Sequence, residues 1–448
     1  MVVACLVPVA AWILVSGLDD LFITLVHTLT RRQRFPWPGQ KDLRRKPQRP
    51  VAILVPLWHE DGVIRQMLER NLAAIQYRNY HIFVGVYPND RATVRQVSAV
   101  ARRHRQVHVA MLPHDGPTSK GDCLNWTWRR MREYEVRYDM RFRVIMTHDA
   151  EDVIHPESLR MINWFSRRYA MVQIPVLPLP TPPREWTHGL YCDEFAEYQT
   201  KDIPVRQTLG GFLPANGVGT GFAREAMEKL AEQRGGQPFD PSCLTEDYET
   251  GYEIHGMGYQ QVFVPLALGA SQEPVVTREY FPRKAKASIR QRTRWVTGIA
   301  LQGWERHGWN VPWPQLYWFW RDRKGLVGNL LTPLDNLLLI YSVARYDHLI
   351  GCLPPWLAVS CQVTMLGTTL QMAVRARSAA KIYGWRFAAG VPVRVVWGNL
   401  VNFAATARAL AEYGLACWAG VAVAWKKTDH AYPVNPQWAP APDPLPHQ

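Results

Sequence analysis

From residue 51 to residue 147 the chain repeats one pattern, a short apolar run followed by a longer stretch with helical spacing. The apolar runs cover 51–55, 81–87, 107–112 and 142–146, the last broken only by Arg143. Each is too short for a buried helix and lacks the polar alternation of a half-exposed strand, so each reads as a strand buried on both faces. Helices are expected between them at about 62–76, 91–104 and 119–133. Strands alternating with helices imply a parallel sheet covered on both sides. In such a sheet, ligands bind in the crevice beyond the carboxyl ends of the strands. This chain places polar residues there: His59-Glu60 after the first strand, Asn89-Asp90 after the second, and Thr147-His148-Asp149-Ala150-Glu151-Asp152 after the fourth.

The third of these clusters has two readings. Crowded carboxylates repel one another, and folding alone gives no reason to gather them. A divalent cation such as Mg²⁺ or Mn²⁺ would, since it prefers oxygen ligands and takes its remaining ligands from a diphosphate. The plainer reading is a helix N-terminus, with Asp152 as the cap and the acids favoured by the helix dipole. On this stretch alone the two are even. Acids at three separate strand ends weigh toward a ligand site.

The flanks have a different character. Residues 1–18 carry no charge, Asp19-Asp20 interrupt, and residues 21–29 resume the apolar pattern. The expectation is a membrane helix over 1–30 of marginal length, since a span needs about 20 apolar residues. Arg31, Arg32, Arg34, Lys41, Arg44, Arg45 and Lys46 follow. Basic residues beside a span stay on the cytoplasmic side, so the next domain is expected there. They also account for much of the net charge of +14 without nucleic acid. The Pro-rich end of 31–50 reads as a linker. Apolar stretches at 326–344, 353–374 and 387–410 give an expected set of membrane and interfacial helices over 311–430, with a Pro-rich, disordered tail over 431–448. The 19 tryptophans fit membrane interfaces. Seven scattered cysteines with no Cys-x-x-Cys pair suggest neither a zinc site nor a disulfide framework.

Three later motifs carry polar chemistry. Asn216-Gly217-Val218-Gly219-Thr220-Gly221 reads as a loop whose backbone, around Gly219 and Thr220, can approach a ligand, or as an ordinary turn before a helix at 222–233. Thr245-Glu246-Asp247 reads by default as a helix start, with Thr245 as cap. Residues 283–307 form a basic amphipathic helix or helix pair. Gln291, Arg294 and Trp295 share one of its faces, which a basic helix lying on a membrane does not require. An amide, a guanidinium and an indole together can clamp a phosphate and stack on a sugar.

Taken in order, the motifs form a set: Val55-Pro56 with Glu60, Asp90, Lys120-Gly121 with Asn125, Asp149-Ala150-Glu151-Asp152, Thr245-Glu246-Asp247, and Gln291-Arg292-Thr293-Arg294-Trp295. This set resembles the family 2 membrane glycosyltransferases, the group of the cellulose and hyaluronan synthases, over residues 51–310. Within the group it is most similar to bacterial inner-membrane transferases of the phage-adsorption type, as Trp425-Lys426-Lys427-Thr428-Asp429-His430 also suggests. The resemblance implies a GT-A, Rossmann-like α/β domain for nucleotide-diphospho-sugars, flanked by transmembrane and interfacial helices. It puts Glu60, Asp90 and Lys120 around the nucleotide and counts Asn125 among the substrate-binding residues. Asp149 and Glu151 match the family's Asp-x-Asp metal ligands for Mg²⁺ or Mn²⁺. Because the second ligand is Glu here, Asp152 is the competing candidate. Asp247 matches the catalytic base, with Glu246 as its nearest rival. Gln291, Arg294 and Trp295 would hold the donor diphosphate and the acceptor sugar.

The implied activity is inverting, metal-dependent transfer from a nucleotide sugar, with UDP as the expected nucleotide, to a growing cell-envelope polysaccharide. The implied place is the cytoplasmic face of a bacterial inner membrane, in a multi-pass protein among lipids that could work with an outer-membrane export partner. One alternative is transfer of a single sugar to a polyprenyl phosphate, although such relatives usually lack the Gln-x-x-Arg-Trp motif. Another is an inactive transferase fold serving as a receptor or scaffold, which the retained carboxylates argue against. Nucleic-acid binding is disfavoured because the basic residues cluster beside the membrane segments.

Overall fold

The computed structural model describes residues 2–30, 37–268, 273–344 and 354–421, positions 423 and 427, and residues 431–433. Most of the Trp425–His430 motif and the tail beyond residue 433 lie outside the described residues.

The expected sheet is present, with β1 (Val51–Pro56) at its centre. β1 pairs in parallel with β2 (Tyr80–Val86) on one side and β4 (Val144–Thr147) on the other, and β2 pairs with β3 (Val107–Met111). Val51 to Val55 are wholly buried, as a strand covered on both faces requires. Each such aliphatic side chain contributes about 1.5–3 kcal/mol of burial free energy. The helices Ile64–Ala74, Arg91–Ala101 and Lys120–Tyr138 occupy the expected stretches.

Beyond β4 the topology departs from a simple parallel sheet. The full order is β3-β2-β1-β4-β7-β5-β8, with β5 at Met171–Gln173, β7 at Thr220–Ala223 and β8 at Gln261–Phe263. β7 is antiparallel to both its neighbours. The segment expected as a turn before a helix is therefore partly a strand, and the helix begins only at Arg224. Small pairs complete the fold: β6 (Val176–Pro178) runs parallel to β11 (Thr277–Glu279), and β9 (Ala267–Leu268) is antiparallel to β10 (Glu273–Pro274). The stretch expected as a linker holds a short helix, Gln40–Arg45, docked through Arg44 onto Glu157.

Two helices are long and apolar enough to cross a membrane, at Val7–Thr30 and Pro355–Tyr383. Leu18, Leu25, Leu29, Leu366 and Leu370 stand exposed on them, and so continuous an apolar surface calls for a lipid surrounding. Asp19 and Asp20 are tolerated in the first helix because Arg321 and Lys324 pair with both. The remaining expected segments are the helix Gly325–Ala344 and a pair, Trp385–Ala388 and Val391–Ala419, the second of which runs on past the expected end at 410.

Buried ion pairs join the C-terminal helices to the sheet-bearing half. Arg394 grips Asp193 at 2.6 and 2.8 Å, and Arg206 grips Asp322 at 2.9 and 3.0 Å. Arg292, in the middle of the Gln-x-x-Arg-Trp motif, reaches Glu194 and Asn402, both at 2.7 Å. The helix carrying that motif is thereby fixed to both halves of the protein.

Candidate active site

The site lies at the carboxyl ends of β1 and β4, as the sheet's topology requires. A cleft of about 130 Å³ is lined there by Glu60, Lys120, Asp149, Glu151, Asp247 and the trio Gln291, Arg294 and Trp295. Five motifs spread over more than 200 residues of sequence thus converge on one space. A second cleft of about 430 Å³ opens from it, and the two share Asn216, Asp247, Glu279, Phe281 and Trp295.

The acidic loop divides its labour. Asp149 and Glu151 face the cleft, whereas Asp152 turns inward and is fully buried. Its Oδ2 accepts from the Asp149 backbone N–H at 3.0 Å and lies 2.6 Å from His148 Nδ1. Burial pushes the His148 imidazole down to about 3 and the Asp152 carboxyl well up, since both charged forms are disfavoured away from water. Asp152 serves as the loop's internal brace, holding Asp149 at the end of β4. Of the two candidates to complete a metal pair, the geometry leaves Glu151 in the cleft.

Lys120 begins its helix, with Ser119 as the N-cap accepting from Asp122 N–H. Its Nζ is 2.7 Å from Asp149 Oδ1 and 3.7 Å from Glu246 Oε1. Burial disfavours the charged amine, but Asp149, Glu246 and Asp247 together outweigh it and hold the pKa above its ordinary value. Lys120 and Arg294 stand among Glu60, Asp149, Glu151, Asp247 and Glu279 in the cleft, so its lining carries more acids than cations. That is unfavourable unless a further cation joins when a diphosphate binds.

Thr245 occupies the N-cap position of the helix Glu246–Gly256, but its hydroxyl makes no capping hydrogen bond. Instead it packs on Gly298, where an added Cβ would lie 2.4 Å from Thr245 Oγ1. The helix carrying Trp295 therefore sits directly against the Thr-Glu-Asp turn. Asp247 lines both clefts, while Glu246 lines neither. Asp247 Oδ1 accepts from the Tyr248 N–H at 2.8 Å. Its other oxygen lies against Gly217, which has φ of +74° and where a Cβ would stand 2.7 Å away. A glycine is needed there both for the backbone angle and for the space. Burial first, and Asp149 after it, push the Asp247 carboxyl above the usual range against the pull of Lys120 and Arg294. Burial likewise pushes Glu246 up to about 7.

Trp295 joins an aromatic wall with Tyr191, Phe195 and Phe281, at ring separations of 6.0, 6.4 and 6.4 Å. Gln291 Oε1 is buried without a hydrogen-bond partner.

Four expected residues sit behind the walls. Asp90 caps the helix Arg91–Ala101 and accepts from the His59 N–H at 2.7 Å, so it shapes the loop that carries Glu60. Asn125 is tied to Phe239 in both directions, at 2.8 and 3.0 Å. Thr220 bonds Gln173 at 2.6 Å within the sheet, and Gly219 backs onto Thr277. Glu279 was not singled out from the sequence, yet it lines both clefts. No motif announces it, because only the pairing of β11 with β6 brings it there.

This geometry can be set beside known proteins. The family model described as Glycosyltransferase like family 2 matches residues 47–298. Bacteriophage adsorption protein B of Escherichia coli (strain K12) and Bacteriophage N4 adsorption protein B of Escherichia coli O157:H7 are each 36% identical over 463 aligned residues, covering 95% of this chain. The chain spans 62% of the length of these relatives. Among solved structures, the mannosyltransferase PcManGT from Pyrobaculum calidifontis, in complex with GDP-Man and Mn²⁺, aligns with a TM-score of 0.54 at 19% identity, over 89% of this chain and 99% of that one. That likeness is one of fold, and the fold is GT-A. With more than half of its length inside the family model, this chain belongs to the family 2 glycosyltransferases.

Proposed function

We propose that this chain transfers a hexosyl group from a nucleoside diphosphate sugar to the end of a glycan by one inverting displacement, at the cytoplasmic face of a bacterial inner membrane. The observation that carries this reading is the sharing of Asp247 and Trp295 between the two clefts. A base placed between a donor pocket and an acceptor pocket can take a proton from an acceptor hydroxyl as the new bond forms. The nucleoside diphosphate leaves toward Lys120, Gln291 and Arg294. Trp295 and its aromatic neighbours offer the acceptor sugar a stacking face.

Asp149 and Glu151 would hold Mg²⁺ or Mn²⁺. Both are hard oxygen donors on one wall of the donor cleft. Among the described residues no three His, Cys, Asp or Glu groups converge on one point. A pair of carboxylates fits an ion that keeps its waters and takes phosphate oxygens from the donor. Such an ion would offset negative charge on the departing diphosphate.

Extension of a glycan is favoured over transfer of a single sugar to a lipid by the Gln291, Arg294 and Trp295 motif, whose Trp295 lines the acceptor cleft. Asp322 lines that cleft and also a cavity of about 480 Å³ between the apolar helices. Its lining is mostly apolar, with polar groups such as Asn329, Thr332, Gln371 and Asn399 among it. Basic residues after the first helix and at Arg375, Arg377 and Lys381 support a cytoplasmic catalytic domain.

Membranes containing the chain, incubated with a panel of radiolabelled UDP-sugars and GDP-mannose in Mn²⁺, should pass label from one donor to slowly migrating material. No incorporation from any donor would count against the reading. In the same assay Trp295→Ala should raise the acceptor KM by about ten-fold or more, the worth of one well-placed aromatic contact, with nucleoside diphosphate binding kept. Lost nucleotide binding with normal acceptor use would remove Trp295 from the acceptor side.

A further inference from the structure

Glu279 ends β11, and the backbone fixes it from both sides. On one side β11 pairs in parallel with β6, where the Leu179 N–H donates to the Glu279 carbonyl at 2.9 Å. On the other, Arg278 exchanges backbone hydrogen bonds with Val153 at 2.8 and 3.1 Å. Val153 immediately follows the acidic loop, so the position of β11 is locked to that of Asp149 and Glu151. Successive side chains on a strand face opposite ways. Thr277 packs against the chain at Gly219, and Glu279, two residues on, emerges on the same face. That face opens into the site, and Glu279 lines the donor cleft and the acceptor cleft together with Asp247.

The carboxylate of Glu279 has no hydrogen-bond or ion-pair partner among the described residues. The charged groups acting on it are Asp149 and Asp152, which repel it, and Lys120 and Arg294, which attract it. A half-buried acid placed so firmly, near other acids and without a partner among the described residues, is held at some cost in folding free energy, which a ligand donating to it would offset. The remaining acids of the cleft have partners or tasks, and Glu60 pairs with Lys427 at 3.0 Å. Asp149 and Glu151 face the diphosphate end, and Asp247 faces the acceptor hydroxyl. Glu279 is shared by the donor and acceptor clefts, where the sugar passes from one to the other on the reading above.

We propose that Glu279 accepts hydrogen bonds from hydroxyl groups of the donor's hexosyl unit and so selects which nucleotide sugar is used. This makes it a specificity residue, distinct from the base and from the groups that hold the nucleotide. A site built to hydrogen-bond a hydroxyl rejects sugars that lack it, because the buried acceptor is left unpaired. The inference rests on the donor cleft assigned above.

The test uses the full chain in detergent or nanodiscs, with Glu279→Gln and Glu279→Asp beside the unaltered protein. Calorimetry with Mn²⁺ compares the accepted nucleotide sugar, or each member of the donor panel, with its nucleoside diphosphate alone. Glu279→Gln should weaken nucleotide-sugar binding or kcat/KM by about 10- to 100-fold, the span of a lost buried hydrogen bond to a charged group, and shift the ratio between epimeric donors. Nucleoside diphosphate affinity should move by no more than about two-fold, a fraction of a kcal/mol. Glu279→Asp should recover part of the discrimination. Equal losses of nucleotide-sugar and nucleoside diphosphate binding would make Glu279 structural and overturn the proposal. Unchanged donor ratios in Glu279→Gln would overturn it equally. Absence of transfer by the unaltered protein would count against the transferase reading alone, since the binding comparison still reports on Glu279.

Discussion

Asp247→Asn should leave the protein folded and able to bind nucleotide sugar, and should cut transfer by about two to four orders of magnitude, the usual worth of a positioned general base. The amide keeps the shape of the carboxyl, and its oxygen can still accept from the Tyr248 N–H, which Asp247 Oδ1 does now at 2.8 Å. What it loses is the capacity to take a proton. Sequence alone left Glu246 as a rival, since the two acids are neighbours. The structure separates them, because Asp247 lines both clefts and Glu246 lines neither. Glu246→Gln should therefore reduce transfer far less, acting through its contact with Lys120 at 3.7 Å. Since burial raises the Asp247 carboxyl, the base is present at higher pH and is lost as pH falls through that raised pKa. The acidic limb of kcat/KM should accordingly lie above the ordinary carboxylate range. Near-normal turnover by Asp247→Asn, with Glu246→Gln inactive, would transfer the role to Glu246.

Removal of divalent metal should be comparably severe. With EDTA transfer should stop, and Mn²⁺ or Mg²⁺ should restore it. Asp149→Ala should lose activity by about 10²-fold or more even at saturating metal, as expected when a charge-stabilising element of a transition state is removed. Asp152→Asn should act differently. Asp152 faces His148 and the Asp149 backbone and not the cleft, so its replacement disturbs the loop's brace and should lower stability more than metal affinity. Full activity in EDTA would sink the metal assignment. A purely metal-binding defect in Asp152→Asn, with stability unchanged, would restore Asp152 as a ligand.

The legible and illegible parts of this protein differ for physical reasons. β1, β2 and β4 announce themselves because a strand buried on both faces must be an unbroken apolar run, and their polar ends mark the site. Asp149, Asp247, Gln291 and Trp295 were found through their motifs, and the fold gathers all of them into one cleft. β7 was illegible because Thr220-Gly221-Phe222-Ala223 is short and glycine-bearing, and its strand character comes only from the antiparallel neighbours that frame it. Glu279 was invisible for a similar reason, since its place depends on pairing with residues a hundred positions earlier. The inward turn of Asp152 follows from a buried histidine, which no spacing rule reveals. Asp19 and Asp20 looked like interruptions of an apolar helix. They are explained only by Arg321 and Lys324, some 300 residues away.

The central claim is one displacement, driven by one base lying between donor and acceptor clefts. Proton NMR of the freshly formed linkage, using a donor of known α configuration, tests it most directly. A single attack opposite the leaving diphosphate must yield the β anomer. A product that retains the α configuration would require a second displacement and a covalent intermediate, and would contradict the role given to Asp247.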